Sequence, residues 1–210
     1  MTLTADLQAP PVERLPRLGD VERDALFTSA RTANSFADVP VSDDELATIW
    51  GLAKWPPTAA NVQPLRVVFI RPGEGRERLV EKMNDGNKAK TASAPAVAVL
   101  AFDTRFHEHV PTVFPFRPEL ADALEANEEN RLAMAERNAW LQAGYFILAV
   151  RAHGLAAGPM GGFDAEGVDR EFFADGRFRS FLVVNIGHPG PQAWAERLPR
   201  LDDETAIAWA

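Results

Sequence analysis

Three apolar runs restrict the fold more than any other feature: Leu65–Ile70 (LRVVFI), Ala96–Phe102 (AVAVLAF) and Phe181–Ile186 (FLVVNI). They are short and rich in β-branched residues, which marks strands. The middle run has no polar alternation, so both of its faces must be covered. The segments between the runs read as helices of unequal length. Strict alternation of strand and helix is missing, which argues against a doubly wound sheet. The expectation is an α+β layer architecture, with a mixed central sheet flanked by helices.

Local signals fill in the remaining elements. Asp20 reads as an N-cap for a helix towards Arg31, with Val21, Leu26 and Phe27 on one face. Ser42-Asp43-Asp44-Glu45 is a capping box, followed by Leu46, Ile49, Trp50 and Ala53 at helical spacing. Pro56-Pro57 ends that helix. Gly73–Met83 predicts a short helix. His107–Pro118 holds three prolines and several aromatics and reads as an irregular loop. Glu119–Arg151 reads as helix with room for a break, its second half, Trp140–Val150, apolar nearly all round. Such a helix is buried within the protein or in a subunit interface. His153-Gly154 looks like its C-terminus. Ala157–Phe163 reads as a glycine-rich turn, Asp164–Phe173 as a short helix, and the tail from Pro189 as loop with a short helix from Asp202. Residues 1–19 are expected to form an extended arm, and 20–210 one domain.

Composition removes several classes of function. With 46% hydrophobic and 25% charged residues, the 210-residue chain has the balance of a globular protein with a real core. A net charge of −8 argues against nucleic acid as partner. There is no cysteine, so disulfides, thiolate catalysis and cysteine-held metals are excluded. The start of the chain lacks the pattern of a signal peptide, and no apolar stretch is long enough to span a bilayer. A cytoplasmic, non-membrane protein fits. The sequence has no GxGxxG after a strand, no P-loop and no GxSxG elbow. His107-Glu108-His109 is not HExxH and reads as solvated loop, so no metal site is expected.

Four polar clusters remain. Arg31-Thr32-Ala33-Asn34 offers a guanidinium fork and a hydroxyl suited to phosphate. Pro57 to Pro64 (PTAANVQP) is a proline-framed loop of small polar residues that can approach a flat ligand closely. Asn87 and Lys90 share a face in a helical turn. Gly158-Pro159-Met160-Gly161-Gly162-Phe163 leaves room for close backbone approach. Taken singly, each also reads as an ordinary surface turn or connection. Glu13–Leu18 (ERLPRL) recurs at Glu196–Leu201, too short to be a structural repeat.

In this order, the stretches ARTANSF, KWPPTAANVQP, GNKAKTASAP, GPMGGFD, VNIGHP and ERLPRL resemble the nitroreductase family of FMN enzymes. The resemblance runs from Leu26 to Trp209. It is nearest to the branch of malonic semialdehyde reductases and NADH dehydrogenase/NAD(P)H nitroreductases. It implies an intertwined homodimer with FMN at the interface, reduced by NADH or NADPH, acting on a small molecule. By position, Arg31 and Thr32 would meet the FMN phosphate, with Arg197 and Arg200 approaching it from the tail. Asn34 would sit near the pyrimidine edge. Asn87 and Lys90 would reach ring and ribityl atoms, Lys90 also contributing electrostatically. Pro57, Thr58, Ala59 and Asn61 would come from the partner subunit. Pro159, Met160, Gly161 and Gly162 would lie along the flavin.

The chain departs from the wider family at Ala30 and Asn34, where basic residues are frequent, and at Gly161, where Glu is frequent. Fewer charges near the flavin should alter its potential and its substrates. The implied reaction is reduction of malonic semialdehyde or a similar aldehyde. The rival readings are a broad nitroaromatic or quinone reductase, and a flavin-binding protein without turnover.

Overall fold

The computed structural model describes residues 15–210. Most of the expected N-terminal arm, including the first ERLPRL copy at Glu13 and Arg14, lies outside the described residues. Four strands form one sheet: β1 (Leu65–Ile70), β2 (Ala96–Asp103), β3 (Ala156–Met160) and β4 (Phe178–Gly187), in the order β1-β2-β4-β3. Every pair is antiparallel. The α+β class is as expected, whereas the sheet is antiparallel instead of mixed. The expectation failed because β3 is not an apolar run: Ala156-Ala157-Gly158-Pro159-Met160 reads as a turn. Its Pro159 is tolerated because β3 is an edge strand.

The two faces of β2 explain its unbroken apolarity. Ala96, Ala98 and Leu100 face α2 (Asp43–Ala53) and α7 (Glu128–Ala152) in a core with Leu46, Ile49 and Phe146. Val97, Val99 and Ala101 face a second core with Leu79 of α3 (Glu74–Lys82) and Val168 of α8 (Ala165–Phe172). All eight β2 residues are buried.

The Ser42 capping box is complete: the Ser42 hydroxyl accepts from the Glu45 amide, and the Glu45 carboxylate accepts from the Ser42 amide at 2.7 Å. The long helical region breaks at Ala126-Asn127, separating α6 (Leu120–Glu125) from α7, with Asn127 capping α7. Within Trp140–Val150, Gln142, Ala143, Phe146, Ala149 and Val150 are buried, while Trp140, Leu141 and Tyr145 are exposed on the single chain. The loop expected over 107–118 instead holds a 3₁₀ turn at Phe106–His109 and α5 (Val110–Val113), with Pro111 in the first turn of α5, where a missing N–H costs nothing. The expected helix from Asp20 is α1 (Asp20–Arg23) followed by a wider turn at Asp24–Thr28. Its N-cap is Gly19, and Val21 and Phe27 are exposed. The tail ends in α9 (Asp203–Ala206), capped by Asp202.

Candidate functional site

The sheet has two diagonal corners that differ in kind. Ile70, Val97, Asn185 and Gly158 form one cross-sheet row, and Leu65, Phe102 and Arg179 form a row at the other end. The predicted site residues divide between these corners.

At the β3 corner, three separated stretches of chain meet. The backbone of Ala33 runs along the free edge of β3, its amide donating to the Ala157 carbonyl at 3.1 Å. Gly158 is required here, because a Cβ would lie 2.8 Å from the Ala33 carbonyl oxygen. The C-terminal tail is stitched to the same stretch: the Asn34 amide donates to Ala193 at 2.9 Å, and the Gly190 amide to Ser35 at 3.1 Å. Arg31 donates to the Ala195 carbonyl at 2.7 Å, and Arg197 donates back to the carbonyls of Thr28 and Ala30. Arg200 donates to its neighbours' carbonyls, Leu198 and Pro199.

Arg31, Thr32, Asn34, Arg197 and Arg200 thus line one cavity of about 220 Å³, together with Glu196. None of the three guanidiniums forms an ion pair with a carboxylate among the described residues. Glu196 lines the cavity, and Asp24 lies close enough to feel the Arg197 charge. The Asp24 carboxyl is held below the usual range by hydrogen bonds from Ser29 and Thr28, with Arg197 adding a smaller pull. Three guanidiniums and a hydroxyl around a small cavity form a donor set for a phosphate-like anion.

The other end of β3 carries the next cluster. Asn87 and Lys90 lie on α4 (Asp85–Ser93), both half-buried. The Asn87 amide donates to the Gly162 carbonyl at 2.9 Å, which also accepts from the Asn84 backbone at 3.0 Å. A Cβ on Gly162 would fall 2.8 Å from the Asn87 side-chain nitrogen. Gly161 is open, with no atom within 4 Å of where a Cβ would stand, and Pro159 is half-buried. Met160 turns its side chain into the core against Thr91 and Asn185. Lys90 makes no ion pair among the described residues. From Ala157 to Met160 the strand spans about 10 Å before the chain turns at Gly162.

The fourth cluster lies elsewhere. The Pro57–Asn61 loop precedes Leu65, at the β1 corner diagonal to Gly158 and about 20 Å away across the sheet. Its residues are not among those lining the Arg31 cavity. Its backbone is unusual: Ala60, Asn61 and Gln63 have φ of 50°, 53° and 43°. Left-handed backbone costs a non-glycine residue about 1–2 kcal/mol, less for Asn. The surroundings hold it there. The Ala59 amide donates to the Asn138 side chain at 2.8 Å, and Asn61 donates to the Val113 carbonyl at 2.8 Å.

Sequence reasoning missed the residues that brace these clusters: Asn84, Thr91, Asn138, Gln142 and Asn185. Asn185 was visible as the one polar residue in FLVVNI. Asn138 and Gln142 were visible as carboxamides four apart on an otherwise apolar helix face. The described residues contain no cluster of potential metal ligands and no helix long and apolar enough to cross a membrane.

The Nitroreductase family model matches residues 28–188. A Streptomyces coelicolor protein named "Putative NADH dehydrogenase/NAD(P)H nitroreductase" is 59% identical over 197 residues, 93% of this chain and 97% of its own length. A solved nitroreductase family protein from Streptococcus pneumoniae superposes with a TM-score of 0.75 at 23% identity, covering 88% of this chain and 98% of that one. A structure from Exiguobacterium sibiricum, described as a "putative nitroreductase in complex with FMN", gives a TM-score of 0.77 at 19% identity, covering 93% and 99%. Both structural likenesses concern the fold.

Proposed function

This chain belongs to the nitroreductase family, and from that premise we propose that it is an FMN-dependent oxidoreductase that takes electrons from NADH or NADPH. The observation that carries this reading is the β3 corner. A guanidinium cluster that makes no ion pair among the described residues stands at one end of the strand, and an amide and an ammonium stand at the other. That is the donor pattern for a long ligand with an anionic end and a polar, electron-accepting end. The names of the relatives, NAD(P)H nitroreductase and a nitroreductase complexed with FMN, support the same reading.

Each residue then has a defined task. Arg31, Thr32, Arg197 and Arg200 bind the phosphate by charge-assisted hydrogen bonds. Asn34 lies beside them in the same cavity and donates to the ligand near its anionic end. Asn87 and Lys90 bind ring and ribityl oxygens, and the Lys90 charge stabilises negative charge that develops on reduction. Pro159 to Gly162 supply backbone along the ligand. Bound FMN supplies the hydride-accepting and hydride-donating chemistry, so no protein nucleophile is needed.

The Pro57–Asn61 loop enters through a second copy of the chain. Its diagonal position excludes it from its own β3 corner, and the exposed Trp140, Leu141 and Tyr145 on α7 supply an apolar face for pairing. The substrate is a small molecule that follows the nicotinamide onto the flavin, and we assign it to the aldehydes, with malonic semialdehyde reduced to 3-hydroxypropionate. A broad nitroaromatic or quinone reductase is the second reading, favoured by the relatives' names. Steady-state assays of FMN-loaded protein against malonic semialdehyde, a nitroaromatic and a quinone, with each nucleotide, separate these. The aldehyde is expected to give the highest kcat/KM. Aldehyde turnover far below that of the nitroaromatic would overturn the assignment. Protein that takes up no FMN would overturn the whole reading.

A further inference from the structure

The strained loop is held by a device that none of the recognised clusters contains. Asn138 and Gln142 lie four residues apart on α7, so their side chains leave the same helix face. Both are buried in an otherwise apolar core. Asn138 Oδ1 accepts from the Ala59 amide at 2.8 Å, and its Nδ2 donates to the Met134 carbonyl at 2.8 Å. Gln142 Oε1 accepts from the Leu65 amide at 2.9 Å. These two amides bracket the segment in which Ala60, Asn61 and Gln63 adopt left-handed backbone. The clamp therefore grips the strained stretch at both ends. Asn61 and the Thr58 hydroxyl, which accepts from the Gln63 amide at 3.3 Å, fix its middle.

Strained backbone persists only where its surroundings over-determine it, and it concentrates at sites where shape is functional. Both carboxamides are buried, so each depends on the loop amide it accepts from to offset its desolvation. We propose that Asn138, with Gln142, is a positioning residue: it pre-sets the Thr58–Asn61 loop in the form that contacts FMN bound at the β3 corner of a second copy. This rests on the functional reading above, in which that loop serves the partner's site. Pre-organisation of this kind lowers the entropic cost of binding without adding a contact.

The test uses FMN-loaded protein and measures FMN release on dilution by flavin fluorescence, together with the thermal midpoint of the cofactor-free protein. Asn138→Ala removes the clamp. Ala60→Gly leaves every side-chain hydrogen bond in place and removes the left-handed penalty, while loosening the loop. The expected result is an FMN dissociation constant raised about tenfold by Asn138→Ala and a few-fold by Ala60→Gly, the latter with a midpoint no lower than that of the wild type. The two substitutions together should exceed Asn138→Ala alone by little, since both act through one loop conformation. Wild-type FMN affinity in Ala60→Gly, with Asn138→Ala lowering only the midpoint, would reduce the clamp to a structural feature while leaving the functional reading intact. Should Asn138→Ala fail to fold, Ala60→Gly decides alone. A wild-type protein that binds no FMN would remove both.

Discussion

The two corners of the sheet are built in opposite ways. At the β3 corner, exposed cationic side chains stand on irregular backbone, and among the described residues Arg31, Arg197 and Arg200 hydrogen-bond only to carbonyls. At the β1 corner the exposed groups are small, and the structural effort is buried: two carboxamides of α7 hold a left-handed loop. The first corner supplies charge and the second supplies shape. Charge can be placed by mobile side chains because electrostatic attraction acts over several ångströms. Shape must be fixed in advance, which is why the strain sits at the β1 corner.

The difference is open to direct attack, and the largest effect should come at the charged corner. Arg31→Ala combined with Arg197→Ala removes two charge-assisted contacts, each worth about 1.5–3 kcal/mol. FMN affinity by fluorescence titration should fall about 100-fold or more, with the fold retained by circular dichroism. Affinity within a few-fold of wild type would mean that the phosphate lies elsewhere. Next in size, Tyr145→Glu places a charge on the exposed α7 face. Light scattering should report a monomer, and FMN should bind about tenfold more weakly, because the monomer lacks the partner's loop. A monomer with undiminished affinity would confine the whole site to one chain.

A smaller effect is expected from Lys90→Ala, which should weaken FMN about tenfold or less and lower the flavin midpoint potential by removing the cation near the reducible end. Unchanged potential would place Lys90 away from the ring. The smallest effect serves as a control remote from both corners. Ser42→Ala disrupts the capping box and should cost about 1 kcal/mol of stability at neutral pH. The Glu45 carboxyl is held below its usual range first by the Ser42 backbone amide and then by the Ser42 hydroxyl. A depressed folded pKa stabilises above the unfolded value, near 4.3, and this contribution disappears as pH falls. The gap between variant and wild type should therefore narrow below about pH 4, with FMN affinity unaltered throughout.

Much of this molecule was legible in the amino-acid order, for identifiable reasons. The β1 strand was bounded to the residue at Leu65–Ile70, because Pro64 and Arg71-Pro72 enclose a β-branched run. The Ser42 cap was equally clear, since its signal is local. β3 was hidden because Gly158 and Pro159 are turn formers. They stand in a strand because the close approach of Ala33 demands Gly158, and an edge accepts Pro159. The short helix α5 was hidden by the same bias against proline. The cationic cluster could be listed from the sequence, but its assembly from positions some 165 residues apart depends on the tail folding back along residues 28–37. The strain at Ala60 had no signal at all, since alanine gives no hint of left-handed backbone.

Mixing two defective chains tests most directly whether the corners of different copies form one site. One chain carries Arg31→Ala, the other Ala59→Glu at an exposed position of the loop. In the proposed assembly, each alone gives dimers with both sites impaired. After the two are unfolded and refolded together, about half the dimers are mixed, and each mixed dimer regains one intact site. Our account predicts that tightly bound FMN returns to about a quarter of the chains. No recovery, with mixed dimers shown to be present, would contradict it.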